Sequence, residues 1–488
     1  MTGSMMANNL RWPRLLALLT CLAASLPAMA ASPVELPPAI DLTTHWAGYA
    51  AIAIFALAYV FVIAEEFTHL RKSQPVMLAA GVIWALLAIA AAGMGQSDSI
   101  HQAVGYYLLE YAELLLFLLA AMTYVNAMSE RNLFEALRLR LLKRGLGYRK
   151  LFWTTGALAF CLSPIIDNLT TALVMCAVVL AVGRDSPKFV MLACINIVVA
   201  ANAGGAFSPF GDITTLMVWQ RGIIDFWGFF HLFLPSLVNW LVPAAIMHFA
   251  VVRGTPPVPP GDVRIKRGGW MIVGLFVFTV FLAVCFHNFL HLPPFMGMMT
   301  GLALLKLHGW YLTRRANAIQ AAEFDRQGSP GDVDAFDSYE QVARAEWDTL
   351  LFFFGVIMCV GALGYCGYLA LASEWFYGDL GPTTANVLIG LLSAVLDNIP
   401  MMVAVLQMHP HMDEGQWLLV TLTAGVGGSL LSIGSAAGVA LMGQAKGKYT
   451  FFGHLRWTWA IALGYAASIG VHLLINARFF TGAVTAAG

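Results

Sequence analysis

The sequence has little charge. Only 11% of its 488 residues are Asp, Glu, Lys or Arg, whereas 59% are hydrophobic. One soluble core cannot bury that much apolar side chain, so the composition excludes an ordinary globular protein and indicates a polytopic membrane protein surrounded by lipid. The chain also lacks a basic tract, which excludes the usual electrostatic signature of a nucleic-acid-binding protein.

The spacing of the seven cysteines indicates no chemical role for them. Their spacing matches neither a disulfide framework nor a metal site, so we interpret them as small hydrophobic residues and expect no cofactor. Apart from Cys21 in the N-terminal segment, they lie within apolar segments, at Cys161, Cys176, Cys194, Cys285, Cys359 and Cys366.

The N-terminus has the pattern of a secretory signal. Arg11 and Arg14 precede an apolar run over 15–26, and Ala28-Met29-Ala30, with small residues at its first and third positions, follows it. This order predicts a cleavable signal peptide over residues 1–30, with a retained first helix as the alternative. In both cases residue 31 emerges on the periplasmic side of the membrane.

Twelve apolar blocks predict the membrane topology. Residues 188–219 and 416–445 are long and interrupted by glycine and polar residues, which is typical of a broken helix. Residues 151–182 and 381–408 carry Asp-Asn at their centres, and each arm is too short to span, so these blocks are predicted re-entrant hairpins. The other eight blocks are ordinary crossings of roughly 20 residues, at 45–64, 75–94, 104–127, 228–252, 270–290, 293–312, 348–370 and 455–476.

The distribution of Lys and Arg along the chain agrees with this predicted topology. Of the 27 Lys and Arg residues, 22 fall in six loops that the predicted topology places on one side of the membrane. Because Lys and Arg mark cytoplasmic loops, we expect about ten transmembrane helices and two hairpins in a bacterial inner membrane, with both mature termini periplasmic. The six loops are 65–74, 128–150, 183–188, 253–269, 313–347 and 443–456.

Two polar motifs occur twice. The Asp-Asn pair at 167–168 returns at 397–398, and the Gly-Gly pair at 204–205 returns at 427–428. In the predicted topology the first hairpin enters from the cytoplasm and the second from the periplasm. The fold class we predict is therefore an all-α polytopic membrane protein with an inverted repeat, the architecture of secondary transporters.

The domain organisation follows from the repeat. Residues 31–103 are predicted N-terminal transmembrane helices, and 104–252 are the first repeat. Residues 253–347 would form connecting helices and a polar cytoplasmic linker, and 348–488 the second repeat.

The first repeat carries the stronger candidate site. Asp167 and Asp212 lie at membrane depth, where an ionisable residue is expensive and usually functional. Asp167 could instead simply cap the following half-helix, but a neutral cap would do that work at lower cost. Hard oxygen ligands suit sodium, so we predict Na+ at Asp167 and Asp212. The supporting oxygen ligands are Asn202, Ser208, Thr214 and Thr215.

The second repeat has fewer acidic residues. Aligning the glycine pairs places Ser435 opposite Asp212 and Ser432 opposite Pro209, which leaves Asp397 as the only carboxylate of that half's motifs. Helix capping alone could explain Asp397, and close helix packing could explain the two serines. We predict that this half supports the ion site through Ser393, Asp397, Asn398, Ser432 and Ser435.

Two further acids lie in the third crossing. Glu110 and Glu113 are three residues apart and share a helix face. Glu113 falls near mid-bilayer and is a candidate proton relay, whereas Glu110 lies nearer the periplasm, where solvation could also explain it. Glu346 and Asp348 are explained by their position at a helix start.

The two long motifs resemble those of NhaD-type sodium/proton antiporters of the ion transporter superfamily. They read Ser-Pro-Ile-Ile-Asp-Asn-Leu-Thr-Thr from Ser163 and Asn-Ala-Gly-Gly-Ala-Phe-Ser-Pro-Phe-Gly-Asp-Ile-Thr-Thr from Asn202. The resemblance implies exchange of cytoplasmic sodium or lithium for protons by a homodimer with a scaffold and a moving transport part. It implies site residues at Ser163, Asp167, Asn168, Asn202, Asp212, Thr214, Thr215, Asn398, Ser432 and Ser435.

Two other functions fit parts of the pattern. A sodium-coupled anion symporter or oxyanion permease of the same superfamily would hold its anion at helix N-termini, where Asp167 and Asp397 would repel it. An intramembrane aspartyl protease would use Asp167 and Asp212 as its dyad. Pro209 replaces the first glycine of its Gly-x-Gly-Asp motif, and the inverted repeat has no role in proteolysis. We therefore expect a transporter and not an enzyme.

Overall fold

The computed structural model describes residues 40–68, 70–183, 186–255, 263–327 and 336–481, with the side chains of 66–67 and 318–327 left out. The predicted signal peptide lies outside the described residues. Within them the regular elements are helices, and eight helices are long and apolar enough to cross a membrane. The prediction of an all-α polytopic membrane protein is confirmed.

The helices of the first half follow the predicted blocks closely. Gly228–Leu232 is a short 3-10 helix. The α-helices are α1 (Trp46–Ile63), α2 (Glu65–Thr68), α3 (Ser73–Gly93), α4 (Ser97–Glu130), α5 (Leu133–Leu142), α6 (Tyr148–Ile166), α7 (Asn168–Val182), α8 (Pro187–Gly205), α9 (Ile213–Gln220) and α10 (Phe233–His248).

The second half has the same succession of long and interrupted helices. Glu374–Asp379 is a π-helix and Ala477–Phe479 a 3-10 helix. The α-helices are α11 (Gly269–Leu290), α12 (Pro294–Gln327), α13 (Ser338–Ala343), α14 (Trp347–Tyr365), α15 (Tyr368–Ser373), α16 (Pro382–Leu396), α17 (Asn398–Met408), α18 (Glu414–Gly427), α19 (Ala436–Ala445), α20 (Phe451–Leu455) and α21 (Thr458–Ile475).

One linker prediction needs correction. The polar connection expected after residue 312 begins as helix, because α12 continues to Gln327 and is 34 residues long. Residues 314–327 are rich in Ala, Arg, Gln and Glu, which favour helix even where they leave the apolar layer. The prediction of irregular chain directly after residue 312 was therefore wrong for residues up to Gln327.

Two groups of helices pack side by side. In the first group α3 packs against α1 and α14, and α12 packs against α4 and α11. Hydrogen bonds between helices hold this group, for example from Trp84 Nε1 to the Met358 carbonyl at 3.0 Å. In the second group α6 packs against α8 and α16 against α18, while α9 and α17 are in contact with each other.

The Asp-Asn pairs interrupt helices in the second group. α6 ends at Ile166 and α7 begins at Asn168, and the residue between them, Asp167, has φ 94° and ψ 158°. Asp397 has φ 66° and ψ 148° between α16 and α17. This region of backbone space is nearly exclusive to glycine and costs on the order of 1–3 kcal/mol for other residues. Both aspartates cap the helix that follows them, since the Asp167 side chain accepts from the Thr170 N–H and that of Asp397 from the Asn398 N–H.

The glycine pairs end the other two interrupted helices. α8 ends at Gly205 and α18 at Gly427, and irregular chain follows each of them. A Cβ added at Gly204 would collide with the carbonyl oxygen of Phe160, and one added at Gly427 would collide with that of Gly390. Only glycine therefore lets these backbones approach the neighbouring helix so closely.

Candidate ion-binding site

Asp212 is the centre of a polar cluster. It precedes α9 as its N-cap and is only 4% exposed, and its Oδ1 accepts a hydrogen bond from the Thr214 N–H at 3.1 Å. Asn398 Nδ2 donates to both carboxylate oxygens, at 2.9 and 3.2 Å. Asn168 Nδ2 donates to Oδ2 at 3.2 Å. The three donors come from three helix starts, so the folding of the whole second group positions this one carboxylate.

Asn202 connects the cluster to the second half. Its Oδ1 accepts from Asn168 Nδ2 at 3.2 Å. Its Nδ2 donates to Ser429 Oγ at 2.9 Å and to Ser435 Oγ at 3.0 Å. The side chain is fully buried, so these bonds replace the solvation that it has lost. The first broken helix is thereby bonded to the unwound part of the second.

Two hydroxyl oxygens in this region are buried without a hydrogen-bond partner among the described residues: Thr214 Oγ1 and Ser432 Oγ. A Cβ added at Gly425 would lie 3.8 Å from both Thr214 Oγ1 and Asp212 Oδ2, so these two oxygens face the same space. Unsatisfied buried polar groups are rare and call for a reason. Coordination of a cation by Thr214 and Asp212 would provide one.

Asp167 opens onto the same cavity as Asp212. The cavity has a volume of about 90 Å³, and Asn168 and Asn398 also line it. Asp167 Oδ1 accepts from the Thr170 N–H at 2.7 Å, and Oδ2 accepts from Thr170 Oγ1 at 2.9 Å. The side chain therefore caps α7 and also contributes a second carboxylate to the cavity.

Four of the predicted hydroxyl ligands donate to backbone carbonyls. Ser163 Oγ donates to Ala201 at 2.6 Å, and Ser393 Oγ donates to Ala424 at 2.8 Å. These bonds tie each hairpin to the neighbouring broken helix. Ser208, in the unwound segment after α8, donates from Oγ to the Pro164 carbonyl at 2.8 Å. Thr215, in the first turn of α9, donates from Oγ1 to the Ser208 and Asp212 carbonyls at 2.8 and 2.6 Å.

Ser435 and Asp212 occupy equivalent positions. Ser435 is the N-cap of α19, with φ −145° and ψ 149°, and its Oγ accepts from the Gly438 N–H at 3.3 Å. Asp212 has φ −144° and ψ 147° before α9. The backbone is the same at both breaks, and the side chain alone differs between carboxylate and hydroxyl.

The two predicted relay acids lie apart from the cluster. Glu110 forms an ion pair with Arg221, the residue that ends α9. Glu113 is half-buried and makes no hydrogen bond or ion pair with the described residues. Neither lines the cavity that Asp167 and Asp212 share.

A second and larger cavity reaches the side predicted to be cytoplasmic. Its volume is about 290 Å³, and Glu65, Lys72, Glu346 and Asp397 line it. Lys72 and Glu346 also line the smaller cavity, so the two are adjacent. Glu346 precedes the membrane-spanning helix α14, and burial raises its pKa above the usual range, while the Thr349 hydroxyl and Lys72 oppose that shift.

Sequence reasoning missed Ser429, His454 and Lys72. Ser429 directly follows the second glycine pair, a signal that could have drawn attention to it. His454 Nε2 donates to the Ser429 carbonyl at 2.9 Å, and its Nδ1 accepts from the Tyr449 hydroxyl at 2.7 Å. Burial lowers the pKa of His454 to about 4, so the ring is neutral near neutral pH and supports the unwound segment. Lys72 gave no local signal at all.

The donor set suits a hard cation. The carboxylates of Asp167 and Asp212 and the amides of Asn168 and Asn398 line one small cavity, and Met122 is the single sulfur-containing side chain among its lining residues. Transition metals prefer several soft or imidazole ligands, which this lining does not offer. Sodium and other hard ions bind such oxygen groups. The same carboxylates can also take up protons, so the cluster can exchange one kind of positive charge for another.

Comparisons with known proteins agree with this chemistry. A family profile described as "Citrate transporter" matches residues 12–425. The chain is 58% identical over 452 residues to the Na(+)/H(+) antiporter NhaD of Vibrio cholerae serotype O1, which covers 91% of this chain and 95% of that protein. It is 54% identical over 482 residues to the Na(+)/H(+) antiporter NhaD of Alkalimonas amylolytica, covering 97% and 99%.

A plant relative is more distant. Sodium/proton antiporter 1 of Arabidopsis thaliana is 31% identical over 439 residues, which covers 88% of this chain and 72% of that protein. The bacterial relatives match along nearly their whole length. The chain therefore belongs to the NhaD family of the ion transporter superfamily, as its two long motifs predict.

Proposed function

We propose that the protein is a sodium/proton antiporter that exports cytoplasmic Na+, or Li+, in exchange for H+. The observation that carries the proposal is the buried Asp212 carboxylate, held by Asn168 and Asn398 from the starts of two different helices. The names of the relatives, Na(+)/H(+) antiporter NhaD and Sodium/proton antiporter 1, support the same function.

Exchange follows from competition at this carboxylate. A buried charge must be neutralised, and either a proton or a sodium ion can neutralise Asp212. Sodium would be bound by the Asp212 carboxylate together with the Thr214 hydroxyl, while Asn168 and Asn398 hold the carboxylate in place through their Nδ2 groups. A proton on Asp212 removes the charge that holds sodium, so each ion displaces the other. Antiport results if the transport part crosses only when one of them is bound.

Alternating access requires a moving part and a fixed part. The moving part would consist of the two hairpins, α6–α7 and α16–α17, and the two broken helices, α8–α9 and α18–α19, related as an inverted repeat. The equivalent bonds of Ser163 and Ser393 and the equivalent caps at Asp212 and Ser435 support that relation. The scaffold would contain α1, α3, α4, α11, α12 and α14.

The topology and assembly belong to the same proposal. We infer a multi-pass protein of a bacterial inner membrane, with both mature termini periplasmic and a homodimeric scaffold. The larger cavity then faces the cytoplasm, because Lys72 and Glu346 belong to loops predicted to lie there. This is the arrangement expected of a transporter waiting to load sodium.

Ion-driven proton flux in everted membrane vesicles tests the function. Addition of Na+ or Li+ should release protons with the wild-type protein, and Asp212→Asn should abolish that release. Asp167→Asn tests the second carboxylate in the same assay. Asp337→Asn is the matched control, because Asp337 caps α13 away from the cavity by accepting from the Tyr339 N–H at 2.8 Å. Wild-type flux in both Asp167→Asn and Asp212→Asn would overturn the proposed site.

Sodium-coupled anion transport is the second candidate, because the matching family profile is described as "Citrate transporter". An anion would need free N–H groups at the starts of α7 and α17. Asp167 and Asp397 instead place carboxylates there, and each accepts a backbone N–H of its own helix. Citrate uptake driven by sodium, without sodium-linked proton flux, would favour this candidate over antiport.

A further inference from the structure

Lys72 contacts the tip of the second hairpin, at Asp397. It precedes α3, and its side chain is 16% exposed. Its Nζ is 3.7 Å from Asp397 Oδ2 and 4.6 Å from the ring centroid of Phe352. The ammonium group of Lys72 is therefore held in place by two attractive contacts, one with a carboxylate and one with the face of an aromatic ring.

Asp167, the equivalent residue of the first hairpin, has no such partner. Among the described residues its carboxylate accepts only from the backbone and side chain of Thr170. Asp397 accepts from the Asn398 N–H at 2.8 Å and also pairs with Lys72. The two hairpin tips thus share a backbone conformation and an aspartate, and they differ in whether a lysine neutralises it.

The charge of Lys72 also acts on the first site. Lys72 lines both the cavity that contains Asp397 and the cavity that contains Asp167 and Asp212. A positive charge in a partly buried space repels a cation that enters it, and a carboxylate beside that charge offsets the repulsion. The pairing with Asp397 therefore also limits how strongly Lys72 repels sodium at Asp212.

We propose that Lys72 is the resident counter-ion of Asp397, occupying the place that a sodium ion would otherwise take in the second half and confining sodium binding to the first half. The inference rests on the proposed antiport function and deepens it, because it makes Lys72 a determinant of how many sodium ions bind. The pair joins α3, in the scaffold, to the tip between α16 and α17, in the transport part.

Equilibrium binding of radioactive sodium to the purified full-length protein tests the inference. Lys72→Gln removes the charge but keeps a polar side chain of similar length. It should gain a second sodium site per chain and bind the first sodium about tenfold more tightly, since a nearby positive charge has gone. Asp397→Asn should have the opposite effect, because Lys72 then repels sodium without compensation, and its affinity should fall about tenfold.

The double variant separates a charge effect from a structural one. Lys72→Gln combined with Asp397→Asn should return to a single sodium site with affinity near the wild-type value, because both charges are removed. Lys72→Arg keeps the charge and should bind one sodium, like the wild type. Lys188→Gln is the control, since Lys188 is exposed near the start of α8 and lies outside both cavities.

The outcomes distinguish this inference from the proposed function. A wild-type protein that neither binds sodium nor moves protons would remove the function itself. A wild type that binds sodium, with Lys72→Gln showing the same number of sites and the same affinity, would overturn only the role of Lys72. If Lys72→Gln does not fold, the tenfold loss expected in Asp397→Asn decides the matter, and unchanged sodium affinity in that variant contradicts the inference.

Discussion

The two halves of the second helix group have nearly the same backbone and different chemistry. Each has a hairpin broken at an aspartate with positive φ, and each has a broken helix that resumes at a capped residue. In the first half the cap is Asp212 and no cation pairs with Asp167 among the described residues. In the second half the cap is Ser435, and Lys72 pairs with Asp397. The two copies therefore share a backbone geometry, and single side chains give them different charge.

The largest expected difference in proton flux is between variants of the two helix N-caps, Asp212 and Ser435. Asp212→Asn should abolish sodium-driven proton flux, since the variant has no charge at the centre of the cluster. Ser435→Ala should reduce flux only about tenfold, because Asn202 keeps its bond to Ser429. Flux across a pH series in everted vesicles measures both. Equal loss in the two variants would mean that the halves contribute alike.

Of the two amides that hold Asp212, the one with more hydrogen bonds to the carboxylate should have the larger effect on the sodium KM when it is replaced. Asn398 is buried and donates to both carboxylate oxygens, whereas Asn168 donates to one of them at 3.2 Å. Asn398→Ala should raise the sodium KM by about 10- to 100-fold, on the order of 1–3 kcal/mol for a bond to a charged group.

Asn168→Ala should raise the sodium KM by only about fivefold, for the same reason. The comparison is made from KM values for sodium at one fixed pH, with Asp337→Asn as the control. A larger effect for Asn168 would show that the first hairpin, and not the buried amide of the second, orders the carboxylate.

Glu346 should act on both cavities in a pH-dependent way. Because burial raises the pKa of Glu346, the side chain is neutral at low pH and becomes charged as the pH rises through that pKa. Its negative charge then attracts sodium and opposes Lys72. Glu346→Gln should therefore raise the sodium KM a few-fold at alkaline pH and leave it unchanged at acidic pH. A difference that grows as the pH falls would contradict this assignment.

The smallest effects are expected where the halves are most alike. Ser163 and Ser393 donate equivalent bonds to Ala201 and Ala424. Ser163→Ala and Ser393→Ala should each destabilise the protein by about 1 kcal/mol, the usual net value of one such bond. Thermal unfolding in detergent measures the two shifts. Shifts that differ strongly would show that one hairpin is held less tightly by its broken helix.

Local patterns in the sequence were enough to predict the helices and their interruptions. The Asp-Asn and Gly-Gly pairs carry backbone requirements in their own residues, so the breaks at Asp167 and Asp397 could be predicted without knowledge of the fold. The resemblance of the two long motifs to those of NhaD-type antiporters placed Asp212 and Asn168 in one predicted site. That Asn398 from the other half donates to Asp212 was consistent with the repeat, but the repeat alone did not predict the bond.

Other contacts depend on tertiary packing and had no local signal. Lys72 lies in a loop with ordinary basic composition, and only the packing of α3 against α14 brings it to Asp397, far along the chain. The pairing of Glu110 with Arg221 joins α4 to the end of α9 in the same manner. Ion pairs between distant segments are decided by the whole fold, so composition and spacing cannot predict them.

The bonds of Asn202 have a consequence for the ancestry of the protein. Asn202 donates to Ser429 and Ser435, and Asp212 accepts from Asn398, so neither half contains a complete cluster of its own. If the halves arose by duplication, a half-length ancestor could have assembled this cluster only by pairing with a second copy inserted in the opposite orientation. Gene fusion would then have fixed that pairing within one chain, after which each copy was free to lose the groups that the other retained.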